Sequence, residues 1–249
     1  MDLMGSSVAS QEAERDTSLE AEMAEVAVSL EEADAADVVR WAVTRFGDGL
    51  VLACSFQDAV LIDLATRVDP GVEVLFLDTG FHFAETLTFV DEVRRRHELN
   101  LRVVCPEIGP DEWPCGTDQC CQLRKVEPLN RALDGKAAWM TGLRRVDSPL
   151  RADAPVVELD PARGMVKLNP LAAWTDEQVE AYIDEHRLPV HPLTQQGYAS
   201  IGCAPTTSPV GNGEHPRSGR WRGMDKTECG LHLPGAQIPA DEVPAPRGV

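Results

Sequence analysis

The chain has 249 residues, 43% of them hydrophobic, a formal net charge of -18 and seven cysteines. That length carries one sizeable α/β domain with appendages, and the charge argues against general affinity for nucleic acid or anionic membrane. No apolar run approaches the roughly 20 residues of a membrane span. The N-terminal MDLMGSSVASQEAERD lacks the basic stretch and apolar core of a secretory signal. The expected location is therefore the cytoplasm, where a disulfide framework is a poor reading of an odd cysteine count.

Residues 1–30, rich in Ala, Glu and Ser, read as an acidic extension that frays or forms a peripheral helix. Apolar spacing predicts a helix over 31–46. An alternation then begins. GLVLAC is a strand and DAVLIDLATRV a helix; VEVLFL is a strand and FAETLTFVDEVRRRH a helix; LRVVC is a strand, CCQLRKVEPLNRALD a helix and AAWMTG a strand. Short apolar strands between amphipathic helices predict a mostly parallel sheet covered on both faces. PVVELD and MVKLNP read as a further strand pair, and TDEQVEAYIDEHR as a helix with Thr175 as N-cap. Beyond Leu188 the chain is rich in Pro, Gly and Ser. The expected organisation is 1–30 extension, 31–200 nucleotide-binding domain, 201–232 catalytic segment and 233–249 tail. Cys54 and Cys105 end apolar runs and are expected to be small core residues.

Ligands of open parallel sheets bind beyond the carboxyl ends of the strands. Three such ends carry polar sequence: CSFQD, LDTGFH and TGLRR. Ser55 and the backbone N–H groups after it suit a phosphate at a helix start, although there is no Walker loop and an ordinary Ser-capped turn reads equally well. Asp78 ends its strand beside Thr79, Gly80, His82 and Glu85, with His82 also readable as a plain surface histidine. CCQLRKVEPL is more specific. Adjacent Cys120 and Cys121 suit a metal or cluster, and Arg124 and Lys125 would favour thiolates and attract an anion. SIGCAPTT supplies Cys203 in a Gly/Pro-rich loop, with Thr206 where a C-x-x-C would place its second cysteine. In HPRSGRWRGMDKTECGLH, Arg217, Arg220, Arg222 and Lys226 make a basic patch on an acidic chain, a polyanion site in character. Cys229 follows it, and nearby cations raise the thiolate fraction of such a nucleophile.

Taken in order, CSFQDAVLIDL, LDTGFHFAET, CCQLRKVEPL, TGLRR, SIGCAP and GRW…KTECGLH resemble the adenylyl-sulfate and phosphoadenylyl-sulfate reductases of assimilatory sulfate reduction, over about residues 35–232. The resemblance implies an adenine-nucleotide α-hydrolase-like fold with a mobile C-terminal segment. It implies that Cys229 attacks the sulfate sulfur to form an S-sulfonate, from which thioredoxin releases sulfite. It further implies that Arg217 and Arg220 close over the phosphosulfate, that Lys125 lies between cluster and substrate, and that Arg144 and Arg145 lie near the sulfate. Ser55 and Asp78 fall in nucleotide-binding loops. A cysteine pair with a later C-x-x-C goes with a 4Fe-4S cluster and adenylyl sulfate; forms without them mostly use the 3′-phosphorylated nucleotide. This chain has Cys120, Cys121 and Cys203 but Thr206 at the fourth position. The fourth place then falls to an oxygen ligand, an open iron or Cys115, or the cluster is lost. A cluster and adenylyl sulfate are the expectation. An ATP-using α-hydrolase, which needs no C-terminal thiol, and a redox sensor on a dead nucleotide fold are the competing classes. Oligomeric state is left open, a homo-oligomer included.

Overall fold

The computed structural model describes residues 18–109, 111–160 and 162–231. The start of the expected extension, the tail at 233–249 and His232 lie outside the described residues. The remaining part of the extension is a helix, α1 (18–30), with Met23 buried. The helix expected over 31–46 begins four residues late, as α2 (Ala35–Phe46).

The alternation follows as β1 (Leu50–Ala53), α3 (Val60–Val68), β2 (Glu73–Leu77), α4 (Ala84–His97) and β3 (Asn100–Val104). Next come α5 (Asp118–Cys121) and α6 (Glu127–Leu133), then β4 (Ala138–Thr141), β5 (Val157–Asp160), β6 (Met165–Leu168) and α7 (Asp176–His186). The sheet order is β3-β2-β1-β4-β6-β5. All pairings are parallel except β5 with β6.

Alternate residues of each central strand serve opposite faces, as the two-residue strand period requires. Leu52, Val74, Phe76, Met140 and Leu168 join α2, α3 and α4 in one buried cluster. Val51, Leu75 and Trp139 point the other way, against Leu129 and Leu133 of α6. Both faces are thus covered, which is why these strands read as continuous apolar runs rather than alternating ones. β3 is the sheet's edge and is covered less: Val103 is 48% exposed, and Cys105, expected in the core, is exposed. Thr175 caps α7 in a capping box, accepting from Gln178 N–H while the Gln178 side chain accepts from Thr175 N–H.

Between α5 and α6 the helix continues in a π register over Gln122–Val126, with Glu127 N–H donating to Gln122 O. Pro128 explains it, because a proline inside a helix has no N–H and its ring clashes with the carbonyl four residues back. The wider turn relieves that clash at Arg124 and rotates Lys125 relative to the paired cysteines. The chain runs outward from β1 through β2 to β3 and returns to the other side of β1 as β4. The crevice beyond the carboxyl ends of β1 and β4 is therefore the topological switch point where this architecture takes its ligands.

Candidate active site

A cleft opens at that switch point, and its walls include Ser55, Asp58, Lys125, Arg144, Arg217, Arg220 and Cys229. The loop after β1 turns sharply at Phe56 (φ 56), whose buried ring meets Phe76 edge-on at 5.3 Å. That turn exposes Ser55 at the cleft. The start of α3 is held by Asp58, which accepts Val60 N–H at 2.9 Å, not by Ser55. Gln57 accepts Ile201 N–H at 3.0 Å and ties this loop to the one bearing Cys203. Cys54 packs against the main core cluster, as expected, and also reaches the cleft wall; burial pushes its thiol up to about 12.

Two expected substrate contacts lie elsewhere. Asp78 accepts Gly80 N–H at 2.9 Å and shapes the turn that Gly80 makes at φ 74, while Thr79 and His82 of the same loop line the cleft. His82 Nε2 donates to Leu77 O at 2.9 Å. Arg145 donates to Ala154 O at 2.8 Å and pairs with Glu31, away from the cleft. Its neighbour Arg144 faces the cleft and is braced by Asp147 at 3.0 Å and Asp176 at 2.8 Å.

The thiols gather at the α5 end of the cleft. Cys120 and Cys203 are buried, and Cys115 Sγ lies 3.9 Å from Thr206 Oγ1, three residues past Cys203. The neighbouring Cys115 thiol holds Cys120 and Cys203 below the usual thiol range, with burial acting the other way. Cys121 points to another side and accepts from Lys226 Nζ at 3.3 Å. Burial lowers the Lys125 pKa, but the neighbouring Cys229, Cys203 and Cys121 outweigh it and hold Lys125 above its ordinary value. Arg124 is consumed structurally: Nη1 donates to Thr79 O at 3.1 Å, Nη2 to Gly109 O, and the guanidinium lies 4.5 Å from the Phe81 ring centroid. Among the described residues no three His, Cys, Asp or Glu side chains converge as ligands of a single ion. Cluster thiolates bind separate irons and need not converge in that way. The donor types suit a cluster: Cys120, Cys121 and Cys203 are buried, and Cys115 Sγ lies 3.9 Å from Thr206 Oγ1 on the loop bearing Cys203.

The C-terminal segment lies across the mouth of the cleft. Arg220 stacks 4.6 Å from the centroid of the buried Trp221 ring and donates to Ile201 O at 3.3 Å. It crosses Gly202 so closely that a Cβ there would fall 2.1 Å from its Nη2. Glu228 is buried and paired with Arg151 at 2.6 Å and with Arg217. Leu231, just past Cys229, packs on the Val51–Leu75–Trp139 cluster. Arg222 instead pairs with exposed Glu214 at 2.7 Å and takes no part. Arg151, Asp58 and Trp221 escaped the sequence reading. The signal for Arg151 was the SPLRAD stretch soon after TGLRR, a cation close in sequence to a predicted anion loop.

The phosphoadenosine phosphosulfate reductase domain matches residues 49–209. A protein named adenosine 5'-phosphosulfate reductase from Mycobacteroides abscessus is 51% identical over 215 residues, covering 83% of this chain and 91% of that one. Its namesake from Mycolicibacterium smegmatis is 48% identical, covering 87% and 98%. The crystal structure of phosphoadenylyl-sulfate reductase from Candida auris, a phosphate complex, superposes with TM-score 0.65 at 30% identity, covering 75% of this chain and 96% of that one. Candida glabrata FMN adenylyltransferase shares the fold at TM-score 0.53 and 16% identity. The expected α-hydrolase-like fold is thus observed, and the chain belongs to the phosphoadenosine phosphosulfate reductase family.

Proposed function

We propose that this protein reduces adenosine 5′-phosphosulfate to sulfite and AMP, in the cytoplasm, as a step of sulfate assimilation. The observation that carries the reading is one cleft holding both a nucleophile and anion receptors. Cys229 lines it with Arg144, Arg217 and Arg220, and buried Arg144 Nη1, Arg217 Nε and Arg220 Nε have no hydrogen-bond partner. Buried guanidinium donors left unpaired are costly, and an anion in the cleft satisfies them. Four relatives with 45–51% identity carry the adenosine 5'-phosphosulfate reductase name, which favours the nucleotide without a 3′-phosphate.

The chemistry follows from the residues. Lys125 and Cys229 line the same cleft, and a thiol attacks as its thiolate. The thiolate attacks the sulfate sulfur; an S–S bond forms, the S–O bond to the nucleotide phosphate breaks, and the electron pair leaves with AMP. Arg144, Arg217 and Arg220 stabilise the charge developing on that phosphate. A dithiol protein of the thioredoxin class then attacks Cys229 Sγ. The S–S bond breaks, sulfite departs with the electron pair, and the second thiol of the donor resolves the mixed disulfide. The donor supplies both electrons and becomes a disulfide.

A 4Fe-4S cluster is part of the reading, with Cys120, Cys121 and Cys203 among its thiolates. Cysteines of α5 and of the 201–207 loop would hold it, and Lys125 and Lys226, which lie beside those cysteines, would offset its negative charge. The test is sulfite release by anaerobically purified protein given a reduced thioredoxin-class donor and either nucleotide. Sulfite from adenylyl sulfate in preference to its 3′-phosphorylated form, abolished in Cys229→Ser, is expected. Pyrophosphate release from ATP without sulfite from either sulfonucleotide would replace this reading with the adenylating class.

A further inference from the structure

We propose that Cys115 is the fourth thiolate of the cluster, doing from the loop before α5 what a cysteine at position 206 would do from the loop after Cys203. The inference rests on the cluster reading above and goes beyond it in naming the ligand that the C-x-x-T spacing leaves unassigned.

Three observations converge on it. First, Cys115 Sγ lies 3.9 Å from Thr206 Oγ1, three residues past Cys203 in the chain. A thiol is thus present beside the place that threonine gives up, 91 residues away in the chain. Second, the segment bearing it is built to stay there. Thr117 Oγ1 donates to Pro114 O at 3.1 Å and accepts Cys120 N–H at 3.1 Å, closing residues 114–120 into one turn that folds Cys115 back onto Cys120. Gly116 in that turn has φ 101, and a Cβ on it would come 2.8 Å from Thr206 Cγ2 and 2.7 Å from Met224 Cε. The turn is therefore seated directly against Thr206, and only glycine permits both the backbone angle and the approach. Third, the Thr206 hydroxyl is turned toward Cys203 O, 3.4 Å away, and an alcohol is in any case a poorer ligand for iron than a thiolate. Loss of a thiolate at 206 and gain of one at 115 keep four cysteines on the same two segments.

The experiment compares iron and acid-labile sulfide content, visible absorption and electron paramagnetic resonance of anaerobically reconstituted wild type, Cys115→Ser, Thr206→Val, Thr206→Cys and the double variant Cys115→Ser/Thr206→Cys. Cys115→Ser is expected to lose iron and to convert on brief air exposure to a three-iron signal. Thr206→Val and Thr206→Cys are expected to hold iron as wild type does, and the double variant to recover wild-type content. Because a variant could fail to fold, wild-type protein is also alkylated and mapped by mass spectrometry. Cys115 should be protected when iron is bound and modified after chelation. Wild-type iron content in Cys115→Ser, iron loss in Thr206→Val, or equal alkylation of Cys115 with and without iron would each overturn the assignment. So would wild-type protein that takes up no iron. Sulfite formation by the same wild-type sample is measured separately. Iron-free protein that makes sulfite removes the cluster and leaves the Cys229 chemistry, whereas iron-loaded protein that makes none leaves the ligand set and removes the activity.

Discussion

Glu228 Oε2 accepts a 2.6 Å hydrogen bond from Arg151 Nε, and this contact fixes the backbone immediately before Cys229. The same carboxylate also receives Arg217, so two guanidinium groups at the cleft share one buried anion, with Asp147 also pairing with Arg151 at 3.1 Å. Removing Glu228 leaves Arg217 buried without its ion-pair partner and Arg151 held by Asp147 alone. Glu228→Ala should therefore lose about 3–5 kcal/mol of stability, the usual cost of breaking a buried pair, read from urea denaturation. It should also speed alkylation of Cys229, because the segment loses its tether. Unchanged stability and alkylation rate would mean that the pair does not hold the segment.

Arg220 offers the cleft a guanidinium whose Nε is buried and unpaired. Arg220→Ala should weaken nucleotide binding by about 1.5–3 kcal/mol, one charge-assisted hydrogen bond, measured by titration calorimetry in a Cys229→Ser background. Lysine should restore only part of it, since an ammonium neither stacks flat on Trp221 nor presents a fork of donors. Equal affinity in all three proteins would place the anion elsewhere.

His191 gives a pH signature of the fold. It is 1% exposed, accepts Leu193 N–H at Nδ1 and contacts Thr86 Oγ1 through Nε2 at 3.0 Å. Burial holds its pKa down at about 4, against about 6.5 unfolded. Between these values the unfolded chain binds the extra proton, so stability is present above pH 6.5 and is lost as pH falls toward 4. Urea midpoints should decline over that interval, and the decline should be shallower in His191→Gln. Parallel curves for the two proteins would contradict a buried neutral imidazole.

The α7 cap is a smaller and independent test. Thr175→Ala removes the acceptor of Gln178 N–H and should cost about 1 kcal/mol, within the range for such caps, with sulfite formation unaffected. A larger loss together with lower activity would connect α7 to the cleft through Asp176 and Arg144.

Much of this was legible in the sequence because strands buried on two faces need apolar runs at every position, and β1, β2 and β4 have them. β3 reads the same way, yet it is the edge, and Cys105 faces solvent; a run of five letters does not say how many neighbours a strand will have. The Arg144–Arg145 pair shows a second limit. Arg144 is extended while Arg145 opens a 3-10 turn, so the two side chains part, and which one faces the cleft goes with Glu31, Ala154 and the acids around Arg144. Arg124 had the composition of a substrate cation, but the π register beside Pro128 turned it onto two backbone carbonyls. Cys229 and the cysteine pair were legible because their types are rare and their chemistry narrow. The company of Cys115 was not, since its approach to Thr206 depends on how two loops meet.

The central claim is that Cys229 carries the sulfonate between the two half-reactions. Protein freed of reductant is mixed with adenylyl sulfate, quenched, and examined by intact-mass and peptide mass spectrometry. The account predicts one sulfonate per chain, located on Cys229, with an equivalent of AMP released, and sulfite appearing only when a thioredoxin-class dithiol is added. Sulfite formation with reductant present but no adduct on Cys229 in its absence, or an adduct on another cysteine, would contradict it.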